Sequence, residues 1–185
     1  MLSHRGESAA PDCVIRIKGI LGALLLIAIV AGDGAAAQDM PNRLIDYEAF
    51  AAQVTAVGSQ RKSRRVSEAE FMRLAAMPDS VILDARSPEK FRLLHVKGAK
   101  NLSLPDITAE ELAKVIPAKT SRVLIYCNNN FLNEAQAFPS KAPAASLNIH
   151  TFNALYSYGY RNIYELGPLI DIAKSALPFE GIKRN

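Results

Sequence analysis

Cysteine and histidine are scarce in this sequence, and its 185 residues include no tryptophan. Of the two cysteines, Cys13 lies in an N-terminal segment that we expect to be removed, which leaves Cys127 as the single thiol of the mature chain. Cys127, His95 and His150 are too few soft ligands for a structural zinc site, so a metal site of that kind is excluded. Exported proteins usually pair their cysteines, and an unpaired one indicates either a buried inert residue or a reactive thiol.

The N-terminal apolar run is shorter than the ~20 residues that a membrane-spanning helix needs. This run, Ile20–Val30, follows the basic residues Arg16 and Lys18 and precedes the small residues Ala35–Ala37. The arrangement is typical of a secretory signal peptide. We therefore predict a signal peptide over residues 1–37, cleavage before Gln38, and a periplasmic or secreted mature protein without stable membrane insertion. An uncleaved N-terminal anchor is the alternative.

Positive charge is in small excess, with 22 lysines and arginines against 18 aspartates and glutamates. Part of this excess is concentrated in the run Arg61–Arg65. We interpret the run as a solvated linker, and contact with anionic lipid is the alternative. Nucleic acid is not an expected partner of an exported chain.

The segment before the basic run has the pattern of an amphipathic helix over Leu44–Val57. Four apolar residues are available for its buried face: Leu44, Ile45, Phe50 and Val54. We predict that residues 38–63 form this helix and the basic linker, that residues 64–177 form the main domain, and that residues 178–185 form a tail.

Helical and strand patterns alternate along the rest of the chain. Ser67–Glu70 is a capping box that opens a helix, whereas Val81–Ala85, Arg122–Tyr126 and Asn162–Leu166 are short runs typical of buried strands. This alternation predicts an α/β fold in which helices cover both faces of a central parallel sheet. Ligands of such sheets bind at the carboxyl ends of the strands, and Cys127 directly follows one of them, which favours a reactive thiol.

Four sequence blocks occur in the order found in one protein family: Asp84–Phe91, His95–Leu102, Val123–Cys127 and Tyr158–Leu166. Together they resemble a rhodanese domain. The resemblance implies a five-stranded parallel sheet with flanking helices, preceded here by the extra N-terminal helix. It also implies that Cys127 carries sulfane sulfur as a persulfide, without a cofactor or metal ion. The sulfur would pass from a small donor such as thiosulfate or a thiol persulfide to a thiol or protein acceptor.

The loop after the cysteine is the substrate-binding segment that the resemblance implies. In the family its backbone N–H groups surround the sulfur and the loop runs into a helix, and both features stabilise an anion. Here the loop residues would be Asn128, Asn129, Asn130 and Phe131. Asparagine suits such a loop because it tolerates left-handed backbone conformations.

This sequence departs from the family after that loop. Leu132 stands where a basic residue often occurs, and Phe131–Lys141 is an insertion. We expect it to contain a short helix over residues 133–138 and to cover the pocket. Cys127-x5 ends at Asn133, so the arginine that related phosphatases and arsenate reductases use to clamp an oxyanion is missing.

Two lysines are candidate cations for an anionic donor. Lys90 stands at a position that is an arginine in tandem-domain thiosulfate enzymes, and Lys141 lies in the insertion between two prolines. A solvated surface position is the alternative for each.

Three further family positions are interpreted as structural support. Asp84 is expected to support the strand end beside the cysteine loop, and Arg86 is expected to tie down the following turn with Glu89. His95 belongs to the H-x-x-G-A turn, where it would satisfy backbone groups.

The sequence therefore predicts an exported sulfurtransferase or persulfide carrier with Cys127 as its nucleophile. A catalytically silent binding module, acting through the inserted loop, is the alternative from a different class. A thiol redox partner is a third hypothesis, although that chemistry normally needs a resolving cysteine.

Overall fold

A computed structural model describes residues 42–182, which contain five α-helices and nine short strands. The helices are α1 (Tyr47–Ser63), α2 (Glu68–Ala75), α3 (Pro88–Leu93), α4 (Ala109–Val115) and α5 (Leu147–Ser157). The strands are β1 (Arg65–Val66), β2 (Ser80–Asp84), β3 (His95–Val96), β4 (Lys100–Asn101), β5 (Arg122–Tyr126), β6 (Phe131–Leu132), β7 (Ile163–Leu166), β8 (Ile170–Asp171) and β9 (Phe179–Glu180).

The five-stranded sheet has the order β1-β7-β5-β2-β4, and all its neighbouring strands are parallel. Its central strand, β5, alternates between two buried clusters. Val123 and Ile125 pack on one face with residues of α1, α4 and α5, whereas Leu124 and Tyr126 pack on the other face with residues of α2. Because apolar side chains project from both faces of the sheet, the sheet is stable only when helices cover both faces. The predicted α/β fold with a five-stranded parallel sheet is confirmed.

The register brings the carboxyl ends of four strands to one edge of the sheet. Asp84 of β2 lies opposite Tyr126 of β5, Ile125 of β5 lies opposite Glu165 of β7, and β1 pairs with the end of β7. Residues that directly follow these strands therefore meet at the same edge, and Cys127 is one of them.

The N-terminal helix differs from its prediction in its bounds and in the residue that it buries. Asp46 caps it by accepting a hydrogen bond from the Ala49 N–H, and the helix continues through Ser63. The basic run Arg61–Arg65, predicted as a linker, instead forms the last helical turn and β1. The four apolar residues assigned to the buried face are exposed, Leu44 by 81%, and Val57 is the residue that the helix buries.

The insertion after the cysteine loop is packed, but its residues 133–138 form turns rather than the predicted helix. Phe131 and Phe138 are buried in the same cluster as Tyr126, and the ring of Phe179 contacts both phenylalanines. Phe179 belongs to β9, which pairs antiparallel with β3, so part of the predicted tail completes this aromatic cluster. The insertion therefore contributes to the core.

The predicted signal peptide and its cleavage site lie outside the described residues. Between residues 42 and 182, no helix has both the length and the apolar character needed to cross a membrane.

Candidate functional site

Cys127 is held at the end of β5 by a tight turn. Asn128–Asn130 form one turn of 3-10 helix, in which the Cys127 N–H donates to Asn130 Oδ1 at 2.9 Å and the Asn130 N–H donates to the Cys127 carbonyl at 3.2 Å. Cys127 is only 1% exposed. These two hydrogen bonds between Cys127 and Asn130 fix the backbone that carries the thiol.

The Cys127 sulfur lies beside the amino-terminal end of α5. Its Sγ is 3.4 Å from the hydroxyl oxygen of Ser146, the residue that immediately precedes this helix of 11 residues. Helix N-termini carry partial positive charge, so this position stabilises an anionic sulfur. The sequence did not predict Ser146, because this residue matches no motif and lies 19 positions from Cys127.

The side chains of the asparagine loop brace the surrounding backbone. Asn129 exchanges two hydrogen bonds with the backbone of Lys141, at 2.8 and 2.9 Å, and Asn130 donates to the Leu166 carbonyl at 2.8 Å. The side-chain amides of Asn129 and Asn130 therefore tie the loop to the insertion and to β7. Asn128 is buried.

A pocket of about 230 Å³ opens at this edge of the sheet. Of the predicted loop residues, Asn129 and Asn130 line it together with Cys127, whereas Phe131 lies in the aromatic cluster. Pro143, which follows the insertion, lines the pocket, whereas the aromatic residues Phe131 and Phe138 do not form the cover that the sequence predicted. The complete lining comprises Arg61, Arg65, Cys127, Asn129, Asn130, Pro143, Ser146, Asn148, Ile149, Glu165 and Gly167.

Two arginines and one glutamate supply the fixed charge of the pocket. Arg61 Nη2 lies 2.7 Å from Glu165 Oε1, and Arg65 Nε lies 3.7 Å from the same oxygen. The Asn148 side-chain amide also donates to Glu165 Oε1, at 3.4 Å. Burial raises the pKa of Glu165, while the charges of the two arginines oppose that rise.

The arginines and the glutamate were not predicted as site residues, although the sequence carried a signal for each. The basic run was visible but was interpreted as a linker. Glu165 is a lone acid in the otherwise apolar block of β7, and an acid in a buried strand usually has a partner or a function.

The two predicted cations lie elsewhere. Lys90 Nζ is 3.1 Å from Glu89 on α3, and Lys141 is an exposed residue whose backbone holds Asn129. Neither lysine is among the residues that line the Cys127 pocket of the described chain. Arg61 and Arg65 provide the positive charge there instead, because α1 extends far enough to bring its last turn to the sheet edge.

A fully buried ion pair supports the strand end beside the cysteine. Arg86 binds Asp84 through Nε and Nη2, the latter at 2.6 Å, and Tyr126 donates to Asp84 at 2.5 Å. Arg86 also donates to the carbonyls of Ala137 and Leu94, each at 2.8 Å. It therefore anchors the insertion, rather than pairing with Glu89 as predicted. Burial, followed by the nearby Asp84 charge, raises the pKa of Tyr126 well above its ordinary value.

His95 connects two parts of the chain. Its Nδ1 lies 2.7 Å from the Phe91 carbonyl, its Nε2 lies 3.2 Å from Glu180, and its ring stacks on Phe91. These contacts give His95 a structural role, because they link α3 to β9.

The fold and the site are those of a parallel α/β domain with a cysteine at a strand end. A model of the rhodanese-like domain family matches residues 67–166. The match covers more than half of the chain, which therefore belongs to the rhodanese-like domain family.

Individual relatives overlap with only part of this chain. The chain is 39% identical over 46 residues to the thiosulfate sulfurtransferase PspE of Escherichia coli (strain K12), an overlap of 25% of this chain and 43% of that relative. A solved rhodanese with anions from E. coli is 22% identical, with a TM-score of 0.36 and coverage of 55% of this chain and 98% of that one. The rhodanese-like domain of the Alr3790 protein from Anabaena sp is 20% identical, with a TM-score of 0.47 and coverage of 64% and 80%.

Proposed function

We propose that this protein is an exported sulfurtransferase or persulfide carrier in which Cys127 accepts and passes on a sulfane sulfur atom. The observation that carries the proposal is the position of the thiol. Its sulfur lies beside the N-terminus of α5 and lines a pocket that also contains two arginines. A nucleophilic thiolate, the leaving group of a donor and a persulfide are all anionic sulfur or oxygen species, and this environment favours each of them.

The proposed reaction has two displacement steps. The Cys127 thiolate attacks the sulfane sulfur of the donor and forms an S–S bond, while the donor's own bond to that sulfur breaks. The leaving group, sulfite from thiosulfate or a thiolate from a thiol persulfide, departs with the electron pair. An acceptor thiolate then attacks the outer sulfur of the Cys127 persulfide, and Cys127 leaves as a thiolate. Each step exchanges one sulfur bond for another, so no external oxidant or reductant is needed.

The direct test is sulfur loading of the purified mature protein. After incubation with thiosulfate or an organic persulfide, intact mass spectrometry should show the addition of one sulfur atom, and treatment with a thiol should remove it. Lack of an adduct with every donor would contradict the proposal and favour the silent binding module.

The arginines of the pocket should matter more for anionic donors than the lysines that the sequence suggested. Arg65→Gln removes a partly exposed cation from the pocket that Cys127 lines, and we expect the kcat/KM for thiosulfate to fall about tenfold. Added salt should lower the wild-type value in the same direction, because exposed charges are screened. Initial rates at several ionic strengths provide the measurement.

Lys90→Gln and Lys141→Gln are matched controls, since each removes one positive charge outside the pocket. They should change the same kcat/KM by less than about twofold. Equal losses in all three variants would assign the effect to the overall charge of the protein.

Export is part of the proposal, and it rests on the sequence of residues 1–37. Expressed in a Gram-negative host, the protein should accumulate outside the cytoplasm with Gln38 as its new N-terminus, because the basic, apolar and small-residue regions are in the order that signal peptidase requires. N-terminal sequencing of the fractionated protein measures this. An intact Met1 in the membrane fraction would support the uncleaved anchor instead.

A further inference from the structure

We propose that Glu165 selects the sulfur donor by its charge, so that the Cys127 pocket prefers organic thiol persulfides to dianionic thiosulfate. The inference rests on the proposed sulfurtransferase function and names the donor class for the same site. Glu165 is a specificity-determining residue in this view, and it has no bond-breaking role.

Glu165 is an acidic residue in a strand whose other residues are apolar or aromatic. It lies on β7 between Tyr164 and Leu166, and its side chain is only 4% exposed, yet it lines the pocket of Cys127. A buried carboxylate loses hydration and needs partners to offset that cost. Its position beside a reactive thiol therefore calls for an explanation beyond packing.

The charges around the thiol balance when Glu165 is ionised. Within the described part of the chain, the charged or titratable residues that line the pocket are Arg61, Arg65, Glu165 and Cys127. An ionised Glu165 offsets one arginine, and a thiolate or persulfide on Cys127 offsets the other. A dianion that enters then meets a pocket without net positive charge. An organic persulfide brings at most one negative charge from its sulfur and is repelled less.

The arginines are also engaged by Glu165 and by the backbone. Arg61 and Arg65 both approach Glu165 Oε1, and Arg65 Nη2 donates to the Gly167 carbonyl at 3.0 Å. A dianionic donor would have to compete with Glu165 for these cations. Thus the carboxylate both lowers the charge of the pocket and occupies its anion-binding groups.

The two oxygens of Glu165 differ, which makes the pocket charge dependent on pH. Oε1 forms ion pairs with Arg61 and Arg65 and accepts a hydrogen bond from Asn148. Oε2 is buried and has no hydrogen-bond partner among the described residues. A proton on Oε2 would neutralise the carboxylate without breaking the contacts that Oε1 makes. Burial raises the pKa of Glu165 above its usual value of 4.5. As the pH falls through that raised pKa, the pocket gains one positive charge and thiosulfate should be accepted more readily.

The test compares two donors in wild type and in Glu165→Gln, a change that keeps the size of the side chain and removes its charge. The donors are thiosulfate and 2-hydroxyethyl persulfide, whose persulfide is its only group that ionises near neutral pH. The second-order rate of sulfur addition to Cys127 is followed by intact mass spectrometry between pH 4 and pH 8, a range that begins below the ordinary pKa of a glutamate. Dividing each variant rate by the wild-type rate at the same pH cancels the titration of the donor itself.

At neutral pH, Glu165→Gln should raise the thiosulfate rate about tenfold and change the hydroxyethyl persulfide rate less than about threefold. The thiosulfate gain should shrink as the pH falls, because wild-type Glu165 becomes neutral as well. Glu111→Gln on α4 is the control, since it changes the net charge equally at an exposed site outside the pocket, and it should alter neither rate.

Equal changes for both donors in Glu165→Gln, at every pH, would overturn the charge-selection role while leaving the sulfurtransferase proposal intact. Should Glu165→Gln fail to fold, the wild-type profile decides: the ratio of thiosulfate to persulfide rates, corrected for donor ionisation, must rise toward low pH. A constant corrected ratio would overturn the inference. Sulfur addition from neither donor would instead refute the proposed function itself.

Discussion

Cys127→Ser is expected to abolish sulfur loading, with the transfer rate falling by at least about a thousandfold to that of the reaction without protein. Serine has nearly the size of cysteine and can still approach the Ser146 hydroxyl, so the fold should be retained. Its oxygen is a far weaker nucleophile toward sulfane sulfur and cannot form a persulfide. Intact mass spectrometry after donor treatment and a continuous assay of transfer to cyanide or a thiol provide the two measurements.

Ser146→Ala is the matched control, because it removes the hydroxyl that lies 3.4 Å from the sulfur and keeps the thiol. It should lower the loading rate by about tenfold or less, the scale of one hydrogen bond, and still yield the adduct. Sulfur loading of the Cys127→Ser variant at the wild-type rate would show that Cys127 is not the nucleophile.

Arg86→Ala should lower the free energy of unfolding by about 3–5 kcal/mol, because it leaves Asp84 as an unpaired charge in the protein interior. Arg86 is 1% exposed and Asp84 is fully buried. Removal of the guanidinium also leaves the carbonyls of Ala137 and Leu94 without this donor, so the insertion is released from the strand end. Urea unfolding followed by circular dichroism measures the change.

The pair Arg73–Glu70 on α2 offers a control with nearly the same geometry and opposite exposure. Its N–O distance is 2.7 Å, and both side chains are substantially exposed. Arg73→Ala should therefore change the free energy of unfolding by less than about 1 kcal/mol. Similar losses for Arg73→Ala and Arg86→Ala would show that burial does not determine the strength of the Asp84–Arg86 contact.

The sheet was the most predictable part of the fold, because buried parallel strands have a local signature. Val81–Ala85, Arg122–Tyr126 and Asn162–Leu166 are dense in apolar residues, and the structure forms β2, β5 and β7 over nearly those bounds. Cys127 could be placed at the carboxyl edge for the same reason. These inferences needed only neighbouring residues in the sequence.

The N-terminal helix was harder to predict because its contacts with the domain are largely polar. Gln53 donates to the Asn153 carbonyl at 2.9 Å, and Gln60 donates to the Arg161 carbonyl at 3.1 Å. With Val57 and Arg61, these residues form one face of α1. A pattern rule that turns apolar residues inward does not select polar residues such as these, so the contacts of the helix with the domain and the role of Arg61 were both missed.

The pocket was only partly predictable because its members lie on separate elements. Cys127, Asn129 and Asn130 are nearly adjacent in sequence, whereas Arg61, Asn148 and Glu165 come from α1, α5 and β7. Their proximity follows from the strand order and from the length of α1. Neither can be obtained from local spacing.

The position of Arg61 and Arg65 has a consequence for how members of this family are compared. The segment shared with the family is residues 67–166, so both arginines lie upstream of it. A protein trimmed to the shared segment would retain the thiol, the asparagine turn and Glu165 but would lack both cations. Its Glu165 carboxylate would then lose both arginine counterions, and under the proposed charge selection its choice of donor would change. In this chain the charge of the Cys127 pocket therefore depends on the segment before the family match as much as on the matched segment itself.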